Sequence, residues 1–335
     1  MVPQSRGATI IGIGSYAPQK VLTNFDLEKI VDTTDEWIVT RSGIRERHIA
    51  EEGIATSDMA VEAANRALDC AGLSAEKIDL VICATITGDM PFPATSCLVQ
   101  NRIGATNAAA FDLQAGCSGW VYALSTASQF VKTGAYEHVL VIGADILSRF
   151  TDWTDRSTCV LFGDAAGAVV LGPSDPGTGV LSTHLGADGS RGELLKIDAG
   201  GSRLPTTEET VQNHQHYIRM EGREVFKFAV RIMGEASIKV LESCGLTPED
   251  VDLFIPHQAN TRIIDAAASR LNLPAEKVFV NVQNYGNTSA ASIPLAMDEA
   301  YRAGKIKEGD VIVVVGFGAG LTWAAGVLKW TLPNE

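Results

Sequence analysis

Basic residues are scarce in this 335-residue chain, in which 27 lysines and arginines stand against 40 aspartates and glutamates and give a formal net charge of −13. A sequence-independent grip on a phosphate backbone needs a basic surface, so no nucleic-acid partner is expected. Aromatic residues amount to only 7% of the chain, yet hydrophobic residues reach 46%. A chain this apolar can offset the entropy of folding, which excludes intrinsic disorder.

No secretory leader, membrane span or metal site is predicted. Residues 1–7 lack the basic start and apolar run of a leader. Residues 311–328 carry no charge, but four glycines interrupt them, so two buried strands around a glycine loop are the better interpretation. The six cysteines are scattered without metal-ligand spacing. We therefore expect reduced thiols, no metal, no membrane insertion and a cytoplasmic location.

The chain contains an internal repeat. Residues 62–80 and 235–253 share glutamate, alanine, leucine, glycine and aspartate at matching places, 173 residues apart. The same spacing aligns 139–143 (VLVIG) with 312–316 (IVVVG). Two segments in one register are unlikely to match by chance, so the chain is predicted to consist of two related halves, 1–173 and 174–335.

Short apolar strands alternate with helices in both halves. We predict strands at 9–13, 78–84, 108–113, 139–143, 168–171, 251–256 and 311–315. We predict helices at 57–72, 116–131, 223–244 and 288–303. The region 173–217 is predicted to contain the connector and an irregular excursion. Strands that are apolar on both faces are typical of sheets covered by helices on both sides. The prediction is a layered α/β body with pseudo-twofold symmetry.

One cysteine has the setting of a nucleophile. Cys117 follows a predicted strand and starts a predicted helix, where free N–H groups and the helix dipole lower a thiol pKa. Glycine on either side of the Cys117-Ser118 pair lets a substrate approach closely. The alternative is a small buried residue in a tight turn. That alternative is our interpretation of the other five: Cys70, Cys83, Cys97, Cys159 and Cys244.

Three further sites follow predicted strands. His257 ends the strand 251–256, Asn287 precedes the helix 288–303, and Ala319 lies in a glycine loop. Taken singly, each has a structural alternative: a core histidine, a helix N-cap and a hairpin turn. The carboxyl ends of the strands meet at one face, however, so a thiol, an imidazole, an amide and backbone N–H groups would share a pocket. Such a pocket suits thioester exchange and carbanion chemistry better than hydrolysis.

At these residues the sequence resembles β-ketoacyl-acyl carrier protein synthase III, the condensing enzyme that initiates bacterial fatty-acid synthesis. The resemblance runs from about residue 10 to 330 and is carried by segments 35–48, 162–167, 256–260, 286–292 and 316–323. It implies the thiolase-like αβαβα fold and a homodimer. It also implies an acyltransferase that condenses a short acyl-CoA, acetyl-CoA in the first place, with malonyl-acyl carrier protein (malonyl-ACP), and that needs no cofactor.

The resemblance also implies roles for particular residues. Cys117, His257 and Asn287 would form a catalytic triad, and the N–H groups of Cys117 and Ala319 would hold the oxyanion. The remaining roles concern binding: Trp37, Arg41 and Arg156 for CoA, Gln258, Ala259, Asn260, Thr261, Arg262, Lys227 and Arg270 for the acidic carrier protein, and Phe92 for the partner subunit's acyl pocket.

Two features depart from the familiar members of the family. The nucleophile turn reads Gly-Cys-Ser-Gly-Trp, where Ala-Cys-Ala-Gly-Phe is more frequent, and residues 203–215 form an unusual insert. Two alternatives therefore stay open. One is a specialised relative that makes polyketide, alkylquinolone or olefin-type products. The other is a non-catalytic acyl-CoA-binding scaffold, against which the intact triad argues.

Overall fold

The computed structural model of the protein describes residues 6–333. The first half contains β1 (Gly7–Tyr16), β2 (Val21–Thr23), α1 (Asn24–Leu27), α2 (Asp35–Ser42), β3 (Glu46–His48), α3 (Thr56–Ala71), β4 (Leu80–Ala84), α4 (Thr95–Arg102), β5 (Ala109–Leu113), α5 (Gly119–Lys132), β6 (Val139–Ile146), α6 (Arg156–Cys159) and β7 (Asp164–Ser174). The second contains β8 (Gly179–Ala187), β9 (Leu195–Lys196), α7 (Glu208–Gln212), β10 (Arg219–Met220), α8 (Gly222–Glu242), β11 (Leu253–Pro256), α9 (Thr261–Arg270), α10 (Val282–Tyr285), α11 (Ser292–Arg302), β12 (Val311–Gly318) and β13 (Thr322–Lys329).

The strand order repeats between the halves. The nine-stranded sheet runs β11-β12-β13-β8-β1-β7-β6-β4-β5, and the single residue pair Ala8–Gly179 joins its two parts. From the centre outward, β1-β7-β6-β4-β5 and β8-β13-β12-β11 both begin with two antiparallel pairings and continue with parallel ones. In the second half, a parallel bridge between Val278 and Phe254 takes the place that the pairing of β5 with β4 has in the first half. The sequence repeat is thus a repeat of topology.

Helices and sheets stack in five layers. Trp120 and Leu124 of α5 and Ile293 and Met297 of α11 pack between strands of both halves in a central core. On one outer face α3 packs against β4, β6 and β7, and on the other α8 and α9 pack against β11, β12 and β13. This is the layered α/β body that the strand pattern predicts, because strands buried on both faces need helices on both sides, and it has the αβαβα order that the family resemblance implies.

Small residues let α3 approach the sheet closely. Its buried face presents Ala60, Ala63, Ala64 and Ala67. A Cβ atom at Gly12 of β1 would lie 2.3 Å from the Ala67 carbonyl oxygen, so the strand needs glycine there. No helix within residues 6–333 is long and apolar enough to cross a membrane.

The region 173–217, predicted to contain the connector and an irregular excursion, also contains a strand that the sequence analysis did not predict. Nine residues of this segment form β8, which pairs with β13. Only Gly179 and Val180 of the strand are buried, and polar residues such as Thr183 and His184 follow. Because one face of β8 is partly exposed, it lacks the continuous apolar run by which the other strands were found. The proposed boundary at 173/174 falls at the end of β7. Residues 1–5 of the first half and 334–335 of the second half lie outside the described range.

Candidate active site

Cys117, His257 and Asn287 line one cavity of about 100 Å³. Cys117 lies in a 3-10 turn, Gly116–Ser118, that leads into α5. His257 directly follows β11, and Asn287 stands between α10 and a second 3-10 turn, Ser289–Ala291, that leads into α11. The two turns occupy equivalent places in the repeat, so the symmetry of the fold brings both helix starts to one cavity.

Burial dominates the acidity of the nucleophile candidate. Cys117 is only 9% exposed, and burial raises the pKa of its thiol to about 12, although the nearby Ser289 hydroxyl acts in the opposite direction. This overturns our expectation of a lowered pKa, because loss of hydration penalises the thiolate more than the turn favours it. The resting side chain is therefore a neutral thiol.

The loop after β12 lies against the cysteine turn. A Cβ atom on Gly116, which has a φ of 56°, would lie 2.6 Å from the Ala319 nitrogen. A Cβ atom on Gly318 would lie 2.3 Å from the Cys117 nitrogen. Glycine at both positions thus lets the N–H groups of Cys117 and Ala319 come close together, as an oxyanion site requires.

His257 is a buried, neutral imidazole. It is 1% exposed, and burial lowers its pKa to about 3. Its Nδ1 lies 2.5 Å from Ser292 Oγ, whereas the buried Nε2 has no hydrogen-bond partner within the described residues. The ring packs edge-on against Phe317, with centroids 5.6 Å apart. One ring nitrogen is thus anchored while the other stays available.

Asn287 is oriented by its own turn. Its Oδ1 accepts a hydrogen bond of 2.9 Å from the Ser289 N–H, which leaves the Nδ2 amide hydrogens free to donate. The Asn287 backbone donates to the Leu161 carbonyl at 2.8 Å and accepts from the Gly163 N–H at 3.1 Å. The side chain therefore orders the turn without being the N-cap of α11, and it still offers a neutral donor.

A second, apolar cavity of about 250 Å³ adjoins the first. Both cavities reach Cys117, Phe162 and Leu195. The larger one is also lined by Ile86, Leu147, Phe150, Ile197, Ile218 and Ala319. Residues of the excursion, including β9, thus form a wall of this cavity, which has the apolar lining that an acyl chain needs.

The sequence and structure match one family throughout. A curated relative named β-ketoacyl-(acyl-carrier-protein) synthase III, from Caldanaerobacter subterraneus subsp. tengcongensis, is 60% identical over 97% of this chain and 98% of its own length. This chain belongs to the β-ketoacyl-acyl carrier protein synthase III family. Models described as 3-oxoacyl-(acyl-carrier-protein (ACP)) synthase III and its C terminal match residues 111–189 and 241–330.

Solved structures of the synthase III family share the fold. The 3-oxoacyl-(acyl-carrier-protein) synthase III from Aquifex aeolicus is 54% identical, with a TM-score of 0.90, 97% of this chain covered and 100% of the other. The priming β-ketosynthase from the R1128 polyketide biosynthetic pathway is 38% identical, with a TM-score of 0.91 and 99% of both chains covered. The thiolase-like fold is thereby confirmed.

Three residues that the synthase III resemblance assigns to CoA lie together. The guanidinium carbons of Arg41 and Arg156 lie 4.8 and 4.9 Å from the centroid of the Trp37 ring. Arg156 also donates to the Asp32 carbonyl at 2.7 Å. Both arginines are exposed, so this cluster joins an aromatic face with two surface cations.

The residues assigned to the carrier protein do not all reach the surface. Gln258 is 1% exposed, and its amide binds Pro256, Phe279 and Asn281. It therefore cannot contact a partner, which corrects that prediction. Ala259 is 8% exposed and buried too.

Other members of the carrier-protein set lie on the surface. Asn260 caps α9 and also donates to the Arg41 carbonyl at 2.8 Å, and Thr261 packs on Gly43. Arg262 is exposed and stacks over Phe226, a residue that lines the cavity of Cys117, with 5.0 Å to the ring centroid. Two further cations pair within the chain: Lys227 with Glu224 at 2.6 Å and Arg270 with Glu235 at 3.3 Å.

Phe92 projects into solvent, with 84% of its surface exposed. It is not among the residues that line either cavity of its own chain. Its loop is fixed to the sheet, because the Asp112 carboxylate of β5 accepts hydrogen bonds from the N–H groups of Thr95 and Ser96.

Sequence reasoning missed the polar residues behind the site. Asp145 is the next-to-last residue of β6 and lies in the interior, where Thr85, Ile86 and Thr87 donate to one carboxylate oxygen and the Ala290 N–H to the other. Burial raises the pKa of Asp145. No sequence motif indicated Asp145. Ser292, in contrast, is the last residue of the segment 286–292, and the sequence analysis could have considered it as a functional residue.

Proposed function

We propose that this protein catalyses the decarboxylative Claisen condensation of a short acyl-CoA with malonyl-ACP. The products are 3-oxoacyl-ACP, CoA and CO₂, and the reaction initiates type II fatty-acid synthesis. The observation that carries this proposal is the meeting of Cys117, a neutral imidazole and a neutral amide in one cavity that opens beside an apolar one. Membership of the synthase III family supports it.

In the first half-reaction Cys117 Sγ attacks the carbonyl carbon of the acyl-CoA. The thioester bond to CoA breaks, an acyl-Cys117 thioester forms, and the thiol proton leaves on the CoA sulfur. The N–H groups of Cys117 and Ala319 stabilise the negative oxygen that develops. Because the thiol is neutral at rest, the developing charge needs these donors in a site that excludes water.

In the second half-reaction malonyl-ACP loses CO₂ and leaves an enolate. His257 Nε2 and Asn287 Nδ2 donate to the enolate oxygen, and both are neutral donors that a carboxylate could not replace without repelling the charge. The enolate carbon then attacks the acyl-Cys117 carbonyl. The carbon–sulfur bond breaks, Sγ leaves as a thiolate that takes up a proton, and 3-oxoacyl-ACP is released.

Trp37, Arg41 and Arg156 are our proposed site for the nucleotide end of CoA. An adenine ring can stack on an indole or a guanidinium, and guanidinium groups are suited to phosphate. Asn260, whose side chain binds the Arg41 carbonyl, connects this cluster to the start of α9, where Arg262 stands beside the cavity. CoA and the carrier protein would thus approach the same entrance in turn.

Arg262 is the cation that we expect to matter most for the carrier protein. Arg262→Ala should raise KM for malonyl-ACP about fivefold, which corresponds to about 1 kcal/mol for an exposed charge pair. The effect should shrink at high salt. The measurement is steady-state kinetics with malonyl-ACP varied.

Lys307→Ala, a removal of positive charge on an exposed loop, serves as the control and should leave this KM unchanged. The rate at which acyl-CoA labels Cys117 should not change in Arg262→Ala. An unaltered KM for malonyl-ACP in Arg262→Ala would contradict the assignment.

We further propose a homodimer that pairs β5 with its copy. Within residues 6–333, β5 has β4 as its only neighbour, and an unpaired edge strand is a template for another chain. Ala109 donates to Asp79 and Leu113 accepts from Thr85, so these odd-numbered residues bond towards β4 and Ala110 directs its N–H outward. Pairing at this edge would carry Phe92 to the partner's acyl pocket.

Sedimentation tests the dimer. The wild type should have twice the 35.6 kDa chain mass, and Ala110→Pro should shift it to the monomer, because proline removes the outward N–H. Ala110→Val keeps that N–H and should stay dimeric. A dimeric, folded Ala110→Pro variant would show that another surface forms the interface.

The remaining proposals concern context: halves at 1–173 and 174–335, no cofactor or metal, and a cytoplasmic location.

Acetyl-CoA is the donor that we propose for the initiating role. Mixing the protein with acetyl-CoA and malonyl-ACP and detecting acetoacetyl-ACP tests the function directly. The alternative is a specialised condensing enzyme, and turnover only with longer or branched acyl donors, or with an acceptor other than ACP, would favour it.

A further inference from the structure

Ser292 connects the start of α11 to the ring of His257. It is 1% exposed, and its Oγ lies 2.5 Å from His257 Nδ1. The same oxygen accepts a hydrogen bond of 3.4 Å from the Gln258 N–H. Ser292 is thus the polar contact on the side of the imidazole that faces away from the cavity.

The hydrogen of the Ser292 hydroxyl can be assigned from its neighbours. Oγ accepts the Gln258 N–H, and among the described residues His257 Nδ1 is the acceptor within reach of its single hydrogen. Nδ1 is then an acceptor without a hydrogen. A neutral imidazole carries one hydrogen, which must therefore sit on Nε2, the buried nitrogen that has no protein partner.

We propose that Ser292 is a positioning residue that holds His257 in the Nε2–H tautomer, so that the imidazole donates a hydrogen bond to the malonyl thioester oxygen. This inference rests on the proposed condensation. The opposite tautomer would direct a nitrogen lone pair at the enolate oxygen and repel it. Because burial lowers the His257 pKa to about 3, protonation cannot supply the missing donor at neutral pH.

The tautomer can be observed in the unmodified protein. Nitrogen-15 NMR of histidine-labelled wild type, with His257→Asn to assign the signals, distinguishes the N–H nitrogen from the bare one. We expect hydrogen on Nε2 and a bare Nδ1 at neutral pH. Hydrogen on Nδ1 would overturn the proposal without recourse to any Ser292 variant.

A kinetic comparison tests the contribution of the hydroxyl. In Ser292→Ala the ratio of the malonyl-ACP decarboxylation rate to the Cys117 acylation rate should fall about tenfold, the range of one buried hydrogen bond. Ser128→Ala is the matched control, since Ser128 is a fully buried serine of the other central helix whose Oγ donates to the Ser125 carbonyl and accepts from the Gln129 side chain. Its ratio should equal that of the wild type.

The outcomes separate this inference from the proposed function. A wild type that releases no CO₂ from malonyl-ACP would refute the condensation itself. An active wild type with equal ratios in folded Ser292→Ala and Ser128→Ala would overturn the positioning role alone. Circular dichroism and the unfolding midpoint establish that both variants are folded.

Discussion

Cys117→Ala is expected to abolish acyl transfer. After incubation with acetyl-CoA the wild type should gain the mass of one acetyl group, and the variant should gain none. Without the sulfur nucleophile no covalent intermediate forms, and condensation should fall by at least about a thousandfold. Intact-protein mass spectrometry measures the adduct, and product formation with malonyl-ACP measures the turnover.

Cys244→Ala is the control for this experiment. Its thiol is partly exposed and bonds to carbonyls in the last turn of α8, away from both cavities. It should acquire the same adduct as the wild type. If Cys117→Ala were still acylated at one site, another nucleophile would carry the reaction. If no acyl-CoA labelled the wild type, the non-catalytic scaffold or a carrier-bound donor would take precedence.

His257→Ala should separate the two half-reactions. Removing the imidazole should lower condensation by about 10²- to 10⁴-fold, because an enolate loses a neutral donor in a site that excludes water. The acyl-Cys117 adduct should still form and should accumulate, since Cys117 and Ala319 remain. Quenched mixtures that are analysed for adduct and for 3-oxoacyl-ACP give both quantities.

Asn287→Asp is the companion to this prediction. It keeps the size of the side chain but replaces a donor with a negative charge, so condensation should fall at least as far as in His257→Ala. His184→Ala, a histidine of a separate cavity beside α8, is the control and should behave like the wild type. Loss of the adduct in His257→Ala would instead make His257 the base for Cys117.

The layered fold could be predicted from the sequence because its signals are local or repetitive. Strands such as β4 and β6 are buried at every residue, and this produces the continuous apolar runs seen in the chain. The repeat of 173 residues predicted two related halves, and the strand orders of the two halves match in the structure. The strand β8 was not predicted, because its partly exposed face interrupts the continuous apolar run by which the other strands were found.

The active-site residues could be nominated from the sequence, since Cys117 and His257 each follow a strand, Asn287 precedes a helix start, and all three lie in distinctive segments. The environment of these residues could not be predicted from the sequence. The neutral thiol of Cys117 and the neutral ring of His257 result from burial among residues distant in the chain. Gln258 belongs to the same motif as its neighbours, yet it points inward, and only the packing of the chain decides that.

The sequence by itself therefore determined the duplicated α/β architecture, the family and the identities of the reactive groups, because each follows from the residue types and their spacing. The tertiary structure decided which groups meet, which are dry and which nitrogen of His257 is anchored. The hydrogen bond of Ser292 with His257 spans 35 residues of chain, and the hydrogen bonds of Asp145 span 58 residues or more. Such contacts join segments that are far apart in the chain, and local patterns carry no information about them.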